Sequence, residues 1–585
     1  ANRRPAIAAS HAAGTGPFTV PARTVVVFAL NRGPRATPPA GRLTLVLCMA
    51  PLHVMPPDPI ACRRPPCTLR LLLLTLAALL GACAALPPRG VVEASVAFND
   101  TGSTTLAQLA AASRPATEAA PSGFRLLPTG EFSFGSRIAL ARRAERSIDL
   151  QAYHIHRDVA GRALLRELRD AAARGVRVRL LVDDYHVADI EPLLVDLAAH
   201  ANVEVRLFNP LPLRSGAPIV RLLMSPGDFE RHNHRMHNKL FVADNAMAVF
   251  GGRNIADEYF MGHSEANFID MDLIATGAVV QDLSRVFDRY WNSVAAWPLH
   301  MVQGRPDAAD ATAPERLDAE LRDAAPAPAP YRTDPIGLTS VEAQLQQGRL
   351  VLHHASAQVF ADPPEKAIDA RPPSGPSAAM GGLLGVMGGA RQSVQIISPY
   401  FVPGTVGMPM MATAARADVR TVLYTNSLET TDEPLVHHRY SGYRVEMLRL
   451  GVEIHELSPG PVRRSLSFGS FGASTPRLHA KVTVVDSRYV LVGSVNLDGR
   501  SAVGNTEMAL AIDSPALSAE LRRALEGERT NIMYRLRLGA DGQSIEWLSR
   551  DEQGHSQVST EEPGSSAWLR FTLWLQSLLV EERLL

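Results

Sequence analysis

Two periods alternate along the chain, and they do so twice. Residues 147–151 (Ser-Ile-Asp-Leu-Gln) switch between polar and apolar at each step, as a half-buried strand does. Ala163, Leu164 and Leu168 then recur at helical spacing, and strands are expected at 176–182 and 203–207, the latter closed by Asn209-Pro210. The second half runs the same way, with strands at 393–397, 419–424 and 452–455, closed by Ser458-Pro459. Strand, helix, strand, helix, strand in each half predicts an α/β fold built from a duplicated unit. The division expected is a leader over 1–83, a tether over 84–120 rich in Ala, Thr and Ser, a first half over 121–303, a linker over 304–340 and a second half over 341–585.

The leader carries no fold signal. Residues 1–54 are rich in Ala, Pro, Arg and Thr without a sustained period. Arg63, Arg64 and Arg70 then form a basic flank to an apolar run over 69–80, which ends in Leu80-Gly81-Ala82-Cys83. A basic flank, a short apolar run and small residues before a cysteine read as a secretory signal, and the last four residues resemble a bacterial lipobox, with Cys83 the site of lipid attachment. The other reading is a short uncleaved anchor. Both put the body at a membrane of the bacterial envelope.

Composition narrows the chemistry. All four cysteines (Cys48, Cys62, Cys67, Cys83) lie early, so the body has no disulfide, thiolate metal site or catalytic cysteine. The 59 basic and 59 acidic residues cancel, which argues against a dedicated nucleic-acid binder. Of the basic residues only Lys239, Lys366 and Lys481 are lysine. Where a chain otherwise writes its positive charge as Arg, those three places call for a reason.

Two of them have one. His237-Asn238-Lys239 leads through four residues to Asp244 and on to Gly251-Gly252-Arg253-Asn254, and His479-Ala480-Lys481 leads through four to Asp486 and on to Gly493-Ser494-Val495-Asn496. One such His-x-Lys-x4-Asp match is expected about 0.005 times by chance, so two with matched flanks are no accident. Apolar residues after each Lys, a turn at the Asp and a second apolar run predict a β-hairpin. The His and Lys of a motif then share a face. Gly252 and Ser494 are small enough to admit a phosphate, and the amides of Asn254 and Asn496 can donate to its oxygens. A histidine serves as nucleophile or proton donor, and a lysine is a compact charge suited to phosphate.

The paired motifs are similar to those of the phospholipase D superfamily. The flanking text, with Gly251–Phe260, Phe287–Ser293, Thr425-Asn426-Ser427-Leu428 and Asn505-Thr506-Glu507-Met508, resembles the bacterial C-type cardiolipin synthases over about residues 125–585. The resemblance implies a duplicated α/β/α sandwich with one hairpin motif per half and the active site between the halves. It implies phosphatidyl transfer through a phosphohistidine, His237 being the nucleophile and His479 the general acid/base, a choice the symmetric motifs alone leave open. Lys239, Lys481, Asn254 and Asn496 would hold the phosphoryl oxygens, with no metal or cofactor, and the substrates would be phosphatidylglycerol and phosphatidylethanolamine. No protein partner is implied. The alternative is hydrolysis of a lipid or nucleic-acid phosphodiester by the same chemistry.

A catalytic histidine needs an acceptor on its other ring nitrogen. Glu507 follows His479 by 28 residues, and Asp270 (or Asp272) holds the similar place in the first half. These are the expected orienting residues. Asp244 and Asp486 belong to the catalytic motif, as turn and salt-bridge residues more than as chemical participants. Arg231-His232-Asn233-His234-Arg235 suggests a headgroup contact or a solvated loop, and His437-His438 an acceptor pocket or a surface helix. Trp568, Phe571, Trp574, Leu575, Leu578 and Leu579 fall on one helical face, either core or dipping into lipid.

Overall fold

In the computed structural model the chain divides into two units, Ala1–Arg70 and Leu71–Leu585. The described residues are 86–214, 233–303, 312–324, 332–369, 375–462, 469, 471–526, 532–550, 555–578 and 580–582, all in the second unit. The signal sequence and Cys83 lie outside them, as do Arg231 and His232.

Two sheets of the same order make the body. In the first half, Ser122–Leu127, Asp272–Gly277, Met247–Gly251, Leu240–Ala243, Ser147–Ala152, Arg177–Asp183 and Val203–Phe208 lie side by side. In the second half the order is His353–Ala361, Met508–Asp513, Tyr489–Gly493, Val482–Val485, Ser393–Ile397, Arg420–Asn426 and Glu453–Leu457. The strand His353–Ala361 also pairs with Ser122–Leu127, Ser122 opposite Ala355, and so joins both into one 18-stranded sheet. The duplication read from the chain is the duplication found, with strand limits within two residues.

The alternation of the strands explains the layers. Leu240 and Val242 turn to one core and Phe241 and Ala243 to another. Val482 and Val484 join Leu240 and Val242, while Val485 faces away into a separate cluster. The shared core is therefore a middle layer between the two halves, and each half covers its outer face with helices, such as Gly130–Arg143 and Val159–Ala173 in the first. This is the expected α/β/α arrangement, doubled.

Each hairpin turns through two residues at positive φ, Asp244 (51°) with Asn245 (49°) and Asp486 (51°) with Ser487 (54°). Positive φ at both central residues suits the right-handed twist of the flanking strands. The aspartates do more than turn. Asp244 Oδ1 accepts from the N–H of Arg146 (2.7 Å) and Ser147 (3.0 Å), and its carboxylate also takes the Glu145 N–H (3.1 Å). Asp486 repeats this on Arg391, Gln392 (2.7 Å) and Ser393 (3.0 Å). The expected turn is found, and in place of the expected salt bridge each aspartate latches the turn to the start of the neighbouring central strand through backbone N–H groups.

The segment expected as a tether is docked. Arg206 donates to Glu93 O (2.8 Å), Arg179 to Ser95 O (2.9 Å) and Trp291 Nε1 to Ser95 Oγ (2.9 Å), so an extended stretch lies along the first half before a helix, Thr105–Ala112. Small polar residues gave no periodic signal there, yet their backbone satisfies buried arginines. The expected linker holds a helix, Ala313–Leu321, and Asp334, which ion-pairs with the buried Arg125 at 2.8 Å.

Asp244→Ala leaves three backbone donors without their acceptor and is expected to lower stability by about 1–3 kcal/mol. Asp486→Ala should cost less, because its carboxylate is half-buried where Asp244 is fully buried. Urea midpoints of the two variants against the parent check both the loss and its order.

Candidate active site

The paired His-Lys motifs do not sit within their hairpin strands. His237 and Lys239 precede the strand Leu240–Ala243, and His479 and Lys481 precede Val482–Val485, in extended lead-in segments. What fixes these segments is pairing with the opposite half. Thr506 donates to Arg235 O (2.9 Å) and His237 N–H to Thr506 O (2.9 Å), a parallel bridge that leaves Glu507 as the next residue. In mirror fashion Thr475–Leu478 runs parallel to Ala266–Ile269, and His479 N–H donates to Ile269 O (2.7 Å), with Asp270 next.

Each histidine thus meets the other half's carboxylate. His237 Nδ1 lies 3.0 and 3.1 Å from the Glu507 oxygens, and His479 Nδ1 lies 2.6 Å from Asp270 Oδ2. Chain proximity pointed to Glu507 beside His479. Asp272, the alternative to Asp270, is held elsewhere: it pairs with Arg137 (3.1 Å) and Arg253 (3.5 Å) and accepts from Ser133. With Nδ1 bound to a carboxylate, Nε2 is the ring nitrogen left for chemistry.

The small residues of the motif serve these carboxylates. A Cβ at Gly252 would lie 2.4 Å from Asp270 Oδ1, so glycine is what lets Asp270 reach His479. Ser494, at the matching place, donates its hydroxyl to Glu507, and its carbonyl lies 3.2 Å from His237 Nδ1. The sequence had assigned Gly252 and Ser494 to phosphate approach. Asp244 and Asp486 are engaged in the turns and touch neither histidine.

Burial sets the electrostatics. All four motif residues are buried, none more than 7% exposed. Burial lowers Lys239 to about 7, with Lys481 adding to it, and lowers Lys481 to about 8 against the pull of Asp270 and Glu507. Each ammonium donates to the carbonyl of its own histidine, at 2.9 and 2.6 Å, and stands near a tyrosine ring, Tyr153 or Tyr400. His237 is lowered to about 4, with burial the main cause and Glu507 opposing it. His479 lies well below its usual value for burial and the two lysines.

The two carboxylates differ. Glu507 also accepts from Ser494 and Ser501 (2.8 Å), and histidine, lysine and hydroxyl neighbours hold it below the usual carboxylate range despite burial. Asp270 has the Met271 N–H (2.7 Å) and His479, and burial pushes it up to about 7 against the pull of Lys481 and Arg253. Glu507 therefore stays ionised at neutral pH, while Asp270 is poised to share a proton there.

Other candidates are placed as follows. Asn254 Nδ2 donates to the Tyr259 hydroxyl (2.9 Å), while the side-chain oxygens of Asn254 and Asn496 are buried without a partner. The Tyr259 hydroxyl would equally donate to the oxygen of an amide turned over, which frees an NH2 instead. Arg235 is fully buried on Asp183 (2.9 Å), a structural fork, neither headgroup contact nor solvated loop. His437 is bound to Glu562 (2.9 Å) and Arg444 (2.8 Å), which gives it a packing role in place of an acceptor pocket. Among the described residues, His156, Asp158 and Glu258 are spaced closely enough to hold a metal ion, and they include none of the paired histidines or carboxylates.

Residues not singled out also shape the site. Tyr259 and Phe268 flank the His479 ring at 5.1 Å, and Tyr153 flanks that of His237 at 5.0 Å. The third lysine has its place here too: Lys366 binds Asp362 (2.8 Å) and Ser501 O (2.9 Å), bracing the loop whose Ser501 hydroxyl holds Glu507. Its rarity in the sequence was the available signal.

Comparison with known proteins fits this geometry. The family model described as "Cardiolipin synthase, PLD-like domain" matches residues 138–291 and 383–528, so that each match contains one motif. Cardiolipin synthase C of Escherichia coli K12 is 35% identical over 463 residues, 77% of this chain and 94% of that protein. Cardiolipin synthase A of Pseudomonas fluorescens is 27% identical over 69% of this chain and 68% of its own. The crystal structure of phosphatidylserine synthase from Haemophilus influenzae Rd KW20 superposes with a TM-score of 0.51 at 15% identity, covering 80% of this chain and 98% of that one, a likeness of fold.

Because burial outweighs the carboxylate at His237, its imidazole is expected to stay neutral down to about pH 4. Glu507→Gln removes the attraction that favours the imidazolium, so the titration should move lower still. Histidine 15N shifts followed against pH check this, and an upward move in the variant would contradict the account.

Proposed function

The chain belongs to the family of the cardiolipin synthase PLD-like domain, and from that membership we propose that it makes cardiolipin by phosphatidyl transfer between phospholipids. The observation that carries the mechanism is the crossed pair of histidine–carboxylate bonds with one buried lysine beside each.

His237 Nε2 attacks the phosphorus of a phosphatidyl donor, phosphatidylglycerol or phosphatidylethanolamine. The P–O bond to the headgroup alcohol breaks, and His479 gives that oxygen its proton. The hydroxyl of a phosphatidylglycerol acceptor then loses its proton to His479 and attacks the phosphohistidine, which frees His237. Assignment of the nucleophile to His237 is supported by Glu507: an ionised carboxylate with two further donors stabilises the positive ring that attack creates. Asp270, near 7, suits a pair that takes and returns a proton in one cycle. Lys239 and Lys481 meet the charge on the phosphoryl oxygens, and the Asn254 and Asn496 amides complete the cradle. Transfer rather than hydrolysis, and lipid rather than nucleic acid, follow from the family.

Substrates of this kind require a membrane surface. No helix among the described residues is long and apolar enough to cross a membrane. The helix Ala567–Ser577 instead exposes Trp568 (72%), Phe571 (51%) and Trp574 (51%), with Leu578 (63%) just after it, while Leu573 packs inward. The core reading of this apolar face therefore gives way to an interfacial helix, whose aromatic rings enter the headgroup region. Lipid attached at Cys83 would supply a second anchor.

Vesicles of phosphatidylglycerol and phosphatidylethanolamine, with products separated by mass, test the activity. Cardiolipin is expected from the parent and from neither His237→Ala nor His479→Ala; phosphatidic acid alone would make the protein a hydrolase. Trp568→Ser/Phe571→Ser/Trp574→Ser is expected to weaken binding to the same vesicles at least about tenfold, since each ring is worth about 1.5–3 kcal/mol on burial. Unchanged cosedimentation would place the membrane contact elsewhere.

A further inference from the structure

The helices that cover the two duplicated halves pack differently. In the first half the helices Gly130–Arg143 and Val159–Ala173 close on each other through Phe134, Ile138, Leu164, Leu165 and Leu168, each no more than 3% exposed. The corresponding helices of the second half, Ala378–Gly388 and Gly404–Arg416, leave a cavity of about 710 Å³. That size is typical of a ligand site and far above a packing defect.

Its lining is apolar and adaptable. Met380, Leu384 and Met387 come from one helix, Met410 and Ala414 from the other. Unbranched thioether side chains reshape around irregular apolar guests. Among the described residues no Lys or Arg lines it, and its charged members are the carboxylates Asp498 and Glu582, which is the wrong chemistry for a phosphate or nucleotide. The helix sequence deepens the contrast. Ala378–Gly388 is apolar throughout yet carries Gly381, Gly382, Gly385 and Gly388, each costing about 1 kcal/mol against Ala. At Gly382 the Phe360 ring explains the glycine, but a Cβ at Gly388 would meet only Met410 Cε, at 3.7 Å. Nothing packed against Gly388 requires its smallness, and the residue lines the cavity.

The cavity also shares a wall with the site. Its inner wall includes Leu497, Asp498 and Val503, from the loop that follows Asn496 and carries Ser501, the partner of Glu507. Near its outer end stands Val406, 46% exposed. We propose that this cavity holds one acyl chain of a phospholipid while the phosphate lies between the two motifs. The proposal rests on the phosphatidyltransferase reading and adds where a substrate's tail goes.

The test uses the full chain, vesicles containing phosphatidylglycerol with a diazirine near the middle of one acyl chain, and mass mapping of the label after irradiation. Label is expected on peptides carrying Met387 and Met410. Gly388→Phe, which fills the space from one wall, and Ala414→Phe, from the other, should each cut it about tenfold, the scale on which an apolar pocket rejects excess bulk. Thermal melting identifies a variant that does not fold, and then the other variant and the parent's map decide. Label confined to other segments, or label undiminished in folded variants, overturns the proposal. Loss of label to an equimolar free fatty acid overturns it also, because the cavity would then serve free fatty acid. Cavity label without cardiolipin from the parent leaves the cavity standing and removes the transferase reading; cardiolipin with no cavity label does the reverse.

Discussion

The bonds from His237 to Glu507 and from His479 to Asp270 are the constraint around which the rest is built. Because each crosses between halves, neither half alone holds an oriented histidine. The main-chain pairing that sets them is equally crossed, Met236 with Thr506 and residues 475–478 with 266–269. The middle hydrophobic layer and the strand His353–Ala361 hold the halves in the register this pairing demands. A slip of one residue would turn each carboxylate from its ring. Duplication here produced two half-sites that are complete only together.

The distribution of arginine and lysine follows from the same burial. Arg125, Arg137, Arg179, Arg206, Arg235 and Arg253 are all deeply buried, where a fixed fork can bind carboxylates and carbonyls at several points and stays charged. At the site the need is different. Lysines lowered to about 7 and 8 hold their protons weakly when the pocket is empty and more firmly when a phosphodiester anion lies between them. A forked cation that never releases its proton would bind its neighbouring carboxylates instead. Lys366 is the exception that fits: it is a point charge of the right size to reach both Asp362 and the Ser501 carbonyl.

Much of this was legible in the chain. Strand periodicity, the duplicated order and both hairpins follow from local pattern, and so do the histidines, lysines, Asp270 and Glu507 as a set. What was not legible depends on contacts between distant segments. Nothing near Glu507 in sequence says that its histidine is 270 residues away. Gly252 reads as room for a phosphate until Asp270 is seen filling that room. The residues before 105 read as a tether because buried arginines that claim their carbonyls give no local signal. The face of Trp568 and Trp574 is ambiguous because core and interface helices share one period, and only exposure separates them.

In the proposed mechanism two motifs of one pattern do two different jobs, so the difference has to come from what surrounds each histidine. Glu507 is held ionised by His237 and Lys239 with the Ser494 hydroxyl added, while Asp270, facing Gly252 where Ser494 stands in the other half, has no matching hydroxyl there and sits near 7. Serine in place of glycine within the duplicated signature is thus one of the differences between the two carboxylates, beside glutamate in place of aspartate. The second asymmetry lies along the same loop. Residues 497–503 wall the apolar cavity on one side and present Ser501 to Glu507 on the other, with Lys366 bracing the loop from Asp362. A chain seated in the proposed place, against Leu497 and Val503, would thus lie on the segment that presents Ser501 to Glu507.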